Sequence, residues 1–339
     1  MPDQRPDGSS KSNGRPYWVG FDLGGTKMLA TVFDDDFQRL GRMRTKTLGA
    51  EGAKAGVQRI VDSIRDALAD AQVEADQLGG IGVGCPGPLD LKRGILLDTP
   101  NLGWKNVKLA KALNEEFGCQ AVIANDVDTG VYGEYRFGAG KSARCVIGVF
   151  PGTGIGGGCV YEGRIVRAAT TSCMEIGHVQ IAPHGPLCGC GQRGCLEAVA
   201  SRLAISAAAA QAAFRGEAPN LLKRSGTDLA NIRSGALAGA IAAGDKVVED
   251  IVREAARNIG LVVASVVNLL APDVVVLGGG LTEAMPELIV ETVAAAARSR
   301  VMPSFVDAFK VVPAQLQDDA TIMGAAAWAR EVITAGDTG

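Results

Sequence analysis

One device occurs twice in this 339-residue chain and restricts its fold more than any other feature. Tyr17–Phe21 is a short apolar run, followed by the polar glycine turn Asp22–Lys27 (DLGGTK) and a second strand-like run, Met28–Phe33. Cys145–Phe150 repeats the pattern, with the turn Pro151–Gly158 (PGTGIGGG) and the strand-like run Cys159–Val166. Strand, glycine turn and strand predict a β-hairpin with a tight polar tip. One such hairpin in each half predicts two lobes built on related sheets, with both tips facing one cleft.

Between and after the hairpins the chain alternates. Gly56–Ala71 and Leu109–Phe117 have helical spacing, and Gly80–Gly84 and Ala121–Ala124 read as strands, an order that predicts an α/β fold with a mixed sheet. Glu197–Phe214 and Gly235–Leu270 are Ala-rich and helical, Asp273–Leu277 is a buried strand, and Thr282–Arg300 reads as one long helix. The chain is too long for one ordinary core. We expect a small lobe over residues 17–128, with a helix over residues 321–333 packing back on it, and a larger lobe over residues 129–320. Residues 1–16, polar and rich in Gly, Ser and Pro, are expected to be a disordered leader without the apolar stretch of a secretory signal.

Composition excludes several classes. A net charge of −3 offers no basic footprint for nucleic acid. The most membrane-like stretch, Ile259–Leu277, is interrupted by Asn268, Pro272 and Asp273, so a buried helix and strand fit better than a membrane span. Eight cysteines in a long chain without a signal are expected to be reduced thiols in the cytoplasm. Cys85, Cys119, Cys145, Cys159 and Cys173 read as core or loop fillers.

The DLGGTK turn gathers phosphate-binding groups. Gly24 and Gly25 let backbone N–H groups converge on phosphate oxygens, Thr26 adds a hydroxyl and Lys27 a point charge. Asp22, at the strand end, can hold Mg²⁺ through water. The second tip supplies Gly152, Thr153 and Gly154 in the same way. It also matches G-x-G-x-x-G through Gly157, but a strand rather than a helix follows, against a dinucleotide fold. Gly140-Lys141-Ser142 lacks the first glycine of a Walker loop, since Tyr135 stands there, and reads as a surface turn. Gly278, Gly279 and Gly280 form a third cluster, between a buried strand and a helix, where a nucleotide edge could be cradled.

Cys188, Cys190 and Cys195 lie within eight residues and are spaced by glycines. With a histidine they make a Cys₃His set for a closed tetrahedral Zn²⁺ site. His178 and His184 are the chain's two histidines, and His178 is favoured because it closes a longer loop one helical step from Glu175. Zinc over residues 178–195 would fix Glu175, His178 and Glu197 for ligand hydroxyls. In the first half, Asn125-Asp126 follows the strand AVIA, where a carboxylate can accept an alcohol proton while the amide fixes a neighbouring hydroxyl. Cys85–Asp90 and Pro100–Trp104 read as rigid turns that could line a small polar pocket.

Together these residues resemble the ROK family of sugar kinases, particularly its glucokinases, from about Trp18 to Arg330. The resemblance implies a two-lobed actin-like ATPase (ribonuclease-H-like) fold with duplicated mixed β-sheets flanked by helices. DLGGTK is similar to the family's first phosphate loop, GTGIGGG to the second, and Gly278–Leu281 to the adenosine motif. Asp126 matches the catalytic base and Asn125 its neighbour. Glu175–His178 (E-x-G-H) and the cysteine run through Glu197 match the signature carrying zinc and sugar contacts, and Pro86, Gly87 and Asn101 match positions bordering the sugar. The family's activity would be transfer of the ATP terminal phosphate to a hexose 6-hydroxyl with Mg²⁺ and structural Zn²⁺, in a homodimer or higher homo-oligomer. Glucose is the expected hexose; N-acetylglucosamine, N-acetylmannosamine, mannose, fructose or allose, a polyphosphate donor, or a non-catalytic sugar sensor are the alternatives. Met174 stands where the family usually has glycine, on the stretch facing the sugar. Sugar-responsive repressors of the family carry an N-terminal helix-turn-helix; with about sixteen residues before the first strand, no nucleic-acid or membrane partner is expected.

Overall fold

A computed structural model describes residues 16–336, so the expected leader, apart from Pro16, lies outside the described residues. The chain divides into two compact units. The first holds residues up to Gly133, Arg167–Ser172 and the segment from Thr321; the second holds Glu134–Val166 and Cys173–Ala320.

The first unit contains strands β1 (Tyr17–Leu23), β2 (Lys27–Phe33), β3 (Arg39–Lys46), helix α1 (Ala53–Ala71), β4 (Leu78–Cys85), β5 (Leu89–Asp90), β6 (Ile95–Thr99), β7 (Trp104–Val107), α2 (Leu109–Phe117) and β8 (Ala121–Asn125). Helix α3 (Asp126–Phe137) begins in this unit and ends in the second. The main sheet runs β3-β2-β1-β4-β8, with β1–β2–β3 antiparallel and β1, β4 and β8 parallel.

Its packing follows from a period of two. In β4, Ile81, Val83 and Cys85 point into the core, while Gly80, Gly82 and Gly84 occupy the alternate face. The chain's last helix, α11 (Ala320–Thr334), lies on that glycine face. A Cβ on Gly82 would sit 1.9 Å from the Ala325 carbonyl oxygen, and one on Gly20 2.0 Å from that of Ile322. Only a strand without side chains there admits a helix so closely.

The second unit adds β9 (Cys145–Pro151), β10 (Ile155–Tyr161), β11 (Arg164–Ile165), α4 (Leu196–Ala200), α5 (Arg202–Phe214), α6 (Pro219–Ser225), α7 (Ser234–Ala242), α8 (Lys246–Leu270), β12 (Val274–Leu277), α9 (Gly279–Ala284), α10 (Pro286–Arg298) and β13 (Lys310–Pro313); α11 (Ala320–Thr334) then returns to the first unit. The sheet order, β11-β10-β9-β12-β13, repeats the first sheet: an antiparallel trio followed by two parallel strands. The core gathers Ile147, Val149 and Leu277 into one apolar cluster with the stripe of α8 that includes Val252, Ala256, Ile259 and Val263. Glu134, fully buried, is satisfied by the backbone N–H groups of Ala139, Gln315 and Leu316 at 2.8, 2.9 and 2.7 Å. Among the described residues no helix is long and apolar enough to cross a membrane.

Three expected helices are each broken. Ser201 separates α4 from α5 and caps the latter by accepting from Ala204 N–H at 3.3 Å. Gly244, at φ +101°, ends the turn between α7 and α8, and Pro286 starts α10 after Met285. The strand-like run Cys159–Val166 turns at Glu162-Gly163, and the second hairpin tip narrows to Gly152–Gly154 because Ile155 already pairs with Pro151.

Candidate active site

In the first unit, three parallel strands end side by side. Register pairs Asp22 with Gly84, Gly84 with Ala124 and Cys85 with Asn125. Asp22, Asn125 and Asp126 therefore gather at the carboxyl edge of the sheet, where open α/β sheets bind ligands. The Cys85 thiol between them feels both carboxylates: burial, then Asp126, then Asp22, push it well above the ordinary thiol range. Asn125 Oδ1 accepts from the N–H groups of Val127 and Asp128 at 2.9 and 3.3 Å, so the amide caps α3 and its Nδ2 is left to donate elsewhere. A Cβ on Gly87 would lie 3.8 Å from that Nδ2. Asp126 Oδ1 accepts from Val127 N–H at 2.9 Å.

The first tip adjoins this edge. Buried Thr47 holds it from behind: its hydroxyl donates to the Gly24 carbonyl at 2.6 Å, and its N–H to that of Thr26 at 3.0 Å. Gly25, Thr26 and Lys27 are exposed, and a Cβ on Gly25 would lie 3.6 Å from Asn101 Cβ. The first unit thus brings together Asp22, Gly24–Lys27, Gly87, Asn101, Asn125 and Asp126.

In the second unit, the Gly152–Gly154 tip and the Gly278–Gly280 turn are neighbours. Gly278 N–H donates to the Val149 carbonyl at 3.1 Å, and a Cβ on Gly279 would approach the Pro151 carbonyl to 2.9 Å. A Cβ on Gly280 would meet Ser234 Oγ at 3.4 Å, so Ser234 borders the same turn. The tip is gripped from the helix side. Arg202 N–H donates to the Gly152 carbonyl at 2.9 Å and Arg202 Nη2 to Thr153 Oγ1 at 2.7 Å. Glu197 Oε2 accepts from Ile155 N–H at 3.0 Å. A Cβ on Gly154 would fall 2.2 Å from that carboxylate oxygen, so a side chain there would have to push the carboxylate aside.

Glu197 also faces the cysteine loop, with Cys188 Sγ 3.8 Å from its Oε1. His178, Cys188, Cys190 and Cys195 present ligand atoms all within 4.8 Å of one another. A tetrahedral zinc with Zn–S of about 2.3 Å and Zn–N of about 2.0 Å has S···S edges of about 3.8 Å and S···N edges of about 3.6 Å. The Cys190–Cys195 and Cys188–His178 Nδ1 separations, 3.7 and 3.6 Å, match both. The donor set fits Zn²⁺, and it uses His178 rather than His184. Ligation through Nδ1 leaves Nε2–H of exposed His178 as a directed donor. Glu175 stands exposed beside it, at the centre of an inverse γ-turn (φ −68°, ψ 57°) closed by Ile176 N–H on the Met174 carbonyl at 2.6 Å. Met174 takes φ +60°.

Thr47, Ser234 and Arg202 are absent from the sequence reading. Thr47 and Ser234 carry no local signal. Arg202 carries one: a cation in the first turn of a helix opposes the macrodipole, a local inconsistency that marks functional positions.

Two sheets of one strand order, each with a glycine tip on its first hairpin, define a duplicated, ribonuclease-H-like fold of the actin-like ATPase class. Within it the chain belongs to the ROK family, whose model matches residues 18–332. A glucokinase of Thermotoga maritima is 32% identical over 323 residues, 93% of this chain and 98% of that protein. The crystal structure of a ROK family glucokinase from Streptomyces griseus in complex with glucose and AMPPNP superimposes with a TM-score of 0.80 at 32% identity, covering 93% of this chain and 99% of that one. A ROK hexokinase from Thermus thermophilus gives the same TM-score and identity over 94% of this chain and all of that one.

Proposed function

We propose that this chain is an ATP-dependent hexose kinase that phosphorylates the 6-hydroxyl of glucose. The observation that carries the reading is the sheet edge of the first unit, where Asp126 and Asn125 stand beside the Gly24–Lys27 tip. The likeness to glucokinases over nearly the whole chain supports glucose as the sugar.

In this reading Asn125 Nδ2, Gly87 and Asn101 border the sugar, with Glu175, His178 and Glu197 as further partners for its hydroxyls. Asp126 accepts the proton of the 6-hydroxyl while that oxygen bonds to the terminal phosphorus; the bond to the bridging oxygen breaks, and ADP leaves with the electron pair. The transition state is loose, so positioning and charge stabilisation supply most of the acceleration. Gly24–Lys27 and Gly152–Gly154 take the phosphates, and Gly278–Gly280 the adenosine. Mg²⁺ held through water by Asp22 would offset phosphate charge, and Zn²⁺ on His178, Cys188, Cys190 and Cys195 would hold the signature loop in shape. In this reading the reaction runs in the cytoplasm, where ATP is supplied and thiols stay reduced.

Coupled ADP release from ATP–Mg²⁺ tests this over glucose, mannose, fructose, allose, N-acetylglucosamine and N-acetylmannosamine. The highest kcat/KM is expected for glucose. No sugar-stimulated ADP release with any of these sugars would reduce the chain to a non-catalytic sensor, and a preference for another sugar would reassign the substrate.

A further inference from the structure

Arg202 is the unabsorbed feature of the second hairpin. Its guanidinium donates to Thr153 Oγ1 and forms no ion pair among the described residues. The arginine that caps α5 and both arginines of α8 each have an acid: Arg215 forks onto Glu217, Arg253 pairs with Glu249 and Arg257 with Glu254. The acid at this tip is Glu197, but its Oε2 is taken by Ile155 N–H and its Oε1 faces Cys188. Arg202 also stands in the first turn of α5, where the helix field disfavours a cation. A guanidinium held at a glycine tip against that field is consistent with its surroundings only when an anion completes it.

We propose that Arg202 is a nucleotide-phosphate residue, which binds the triphosphate directly and sets Thr153 as a hydrogen-bond donor to it. This rests on the kinase reading. Thr153 Oγ1 accepts from Arg202, so the single hydroxyl proton is turned to a different acceptor. The guanidinium keeps further N–H donors in a fixed fork, a geometry that matches phosphate oxygens and that lysine lacks.

The test compares Arg202→Ala, Arg202→Lys, Thr153→Ala and the Thr153→Ala/Arg202→Ala pair, with Arg215→Ala as a surface control. Steady-state rates are taken with ATP and sugar varied separately, and calorimetry measures sugar and ATP–Mg²⁺ binding independently. A charge-assisted contact of about 1.5–3 kcal/mol corresponds to roughly ten- to hundredfold. Arg202→Ala should raise the KM and Kd for ATP by about that factor, leave the sugar Kd within about twofold, and be partly rescued by lysine. The double variant should be little worse than Arg202→Ala alone. Unchanged ATP affinity in Arg202→Ala, or equal losses for sugar and nucleotide, overturns the proposal. Should the wild type phosphorylate no sugar, the kinase reading fails by itself, and the calorimetric ATP affinities still decide the role of Arg202.

Discussion

Glu197 Oε2 accepts the Ile155 N–H at 3.0 Å, so one carboxylate two residues beyond Cys195 of the histidine–cysteine cluster fixes the root of the second glycine tip. Ile155 is buried, and removing the acceptor leaves its N–H unpaired, at about 1–3 kcal/mol. Glu197→Ala should therefore retain zinc while raising the KM for both sugar and ATP by roughly tenfold or more. Metal analysis alongside two-substrate kinetics checks this; a change confined to the sugar would restrict Glu197 to sugar contact.

The cysteine loop is held by backbone links, among them Cys188 N–H to the Gln192 carbonyl, Gly194 N–H to that of Pro186, and the Ile181 and Ala182 N–H groups to that of Gly194, and its buried side chains are those of Cys188 and Cys195. Ligation energy is folding energy in such loops. Cys190→Ser and Cys195→Ser should drop bound zinc from about one per chain to below about a tenth and lower the melting temperature. A strong chelator should do the same to the wild type, while Cys173→Ser, outside the cluster, keeps the metal. Equal zinc in all variants would remove the site.

Close approach of α11 to the first sheet gives a stability test remote from the chemistry. Gly82→Ala puts a methyl 1.9 Å from a backbone oxygen and should destabilise by about 3 kcal/mol or more. Gly118→Ala, at φ +62° with open space around it, should cost about 1 kcal/mol. Urea unfolding distinguishes them; equal effects would mean that α11 is not seated on the glycine face.

Much of the fold was legible because its signals are local. Both hairpins, Leu109–Phe117 and the strand at Gly80–Gly84 follow from short-range pattern, and the spacing of Cys188, Cys190 and Cys195 already implied a metal loop. The helix breaks were less visible, since Ala-rich runs keep a helical period across Ser201 and Met285 although the capping serine and Pro286 mark them. The choice of His178 over His184 follows from loop length, whereas the contacts of Arg202 and Thr47 join chain segments far apart in sequence. Met174 could be flagged from the family pattern, but its left-handed backbone, beside the γ-turn that carries Glu175, emerges only in three dimensions. Strain of this kind, about 1–3 kcal/mol, is kept where a neighbouring side chain must be aimed.

The central claim is that the carboxylate at position 126, next to the amide that caps α3, takes the proton of the sugar hydroxyl. Asp126→Asn preserves the size of the side chain and removes the base. Glucose-dependent ADP release by this variant should fall by about 10³-fold or more, within the range for loss of a general base and its positioning, with the calorimetric glucose Kd within about threefold of wild type. A turnover within tenfold of wild type, at equal glucose affinity, would contradict the account.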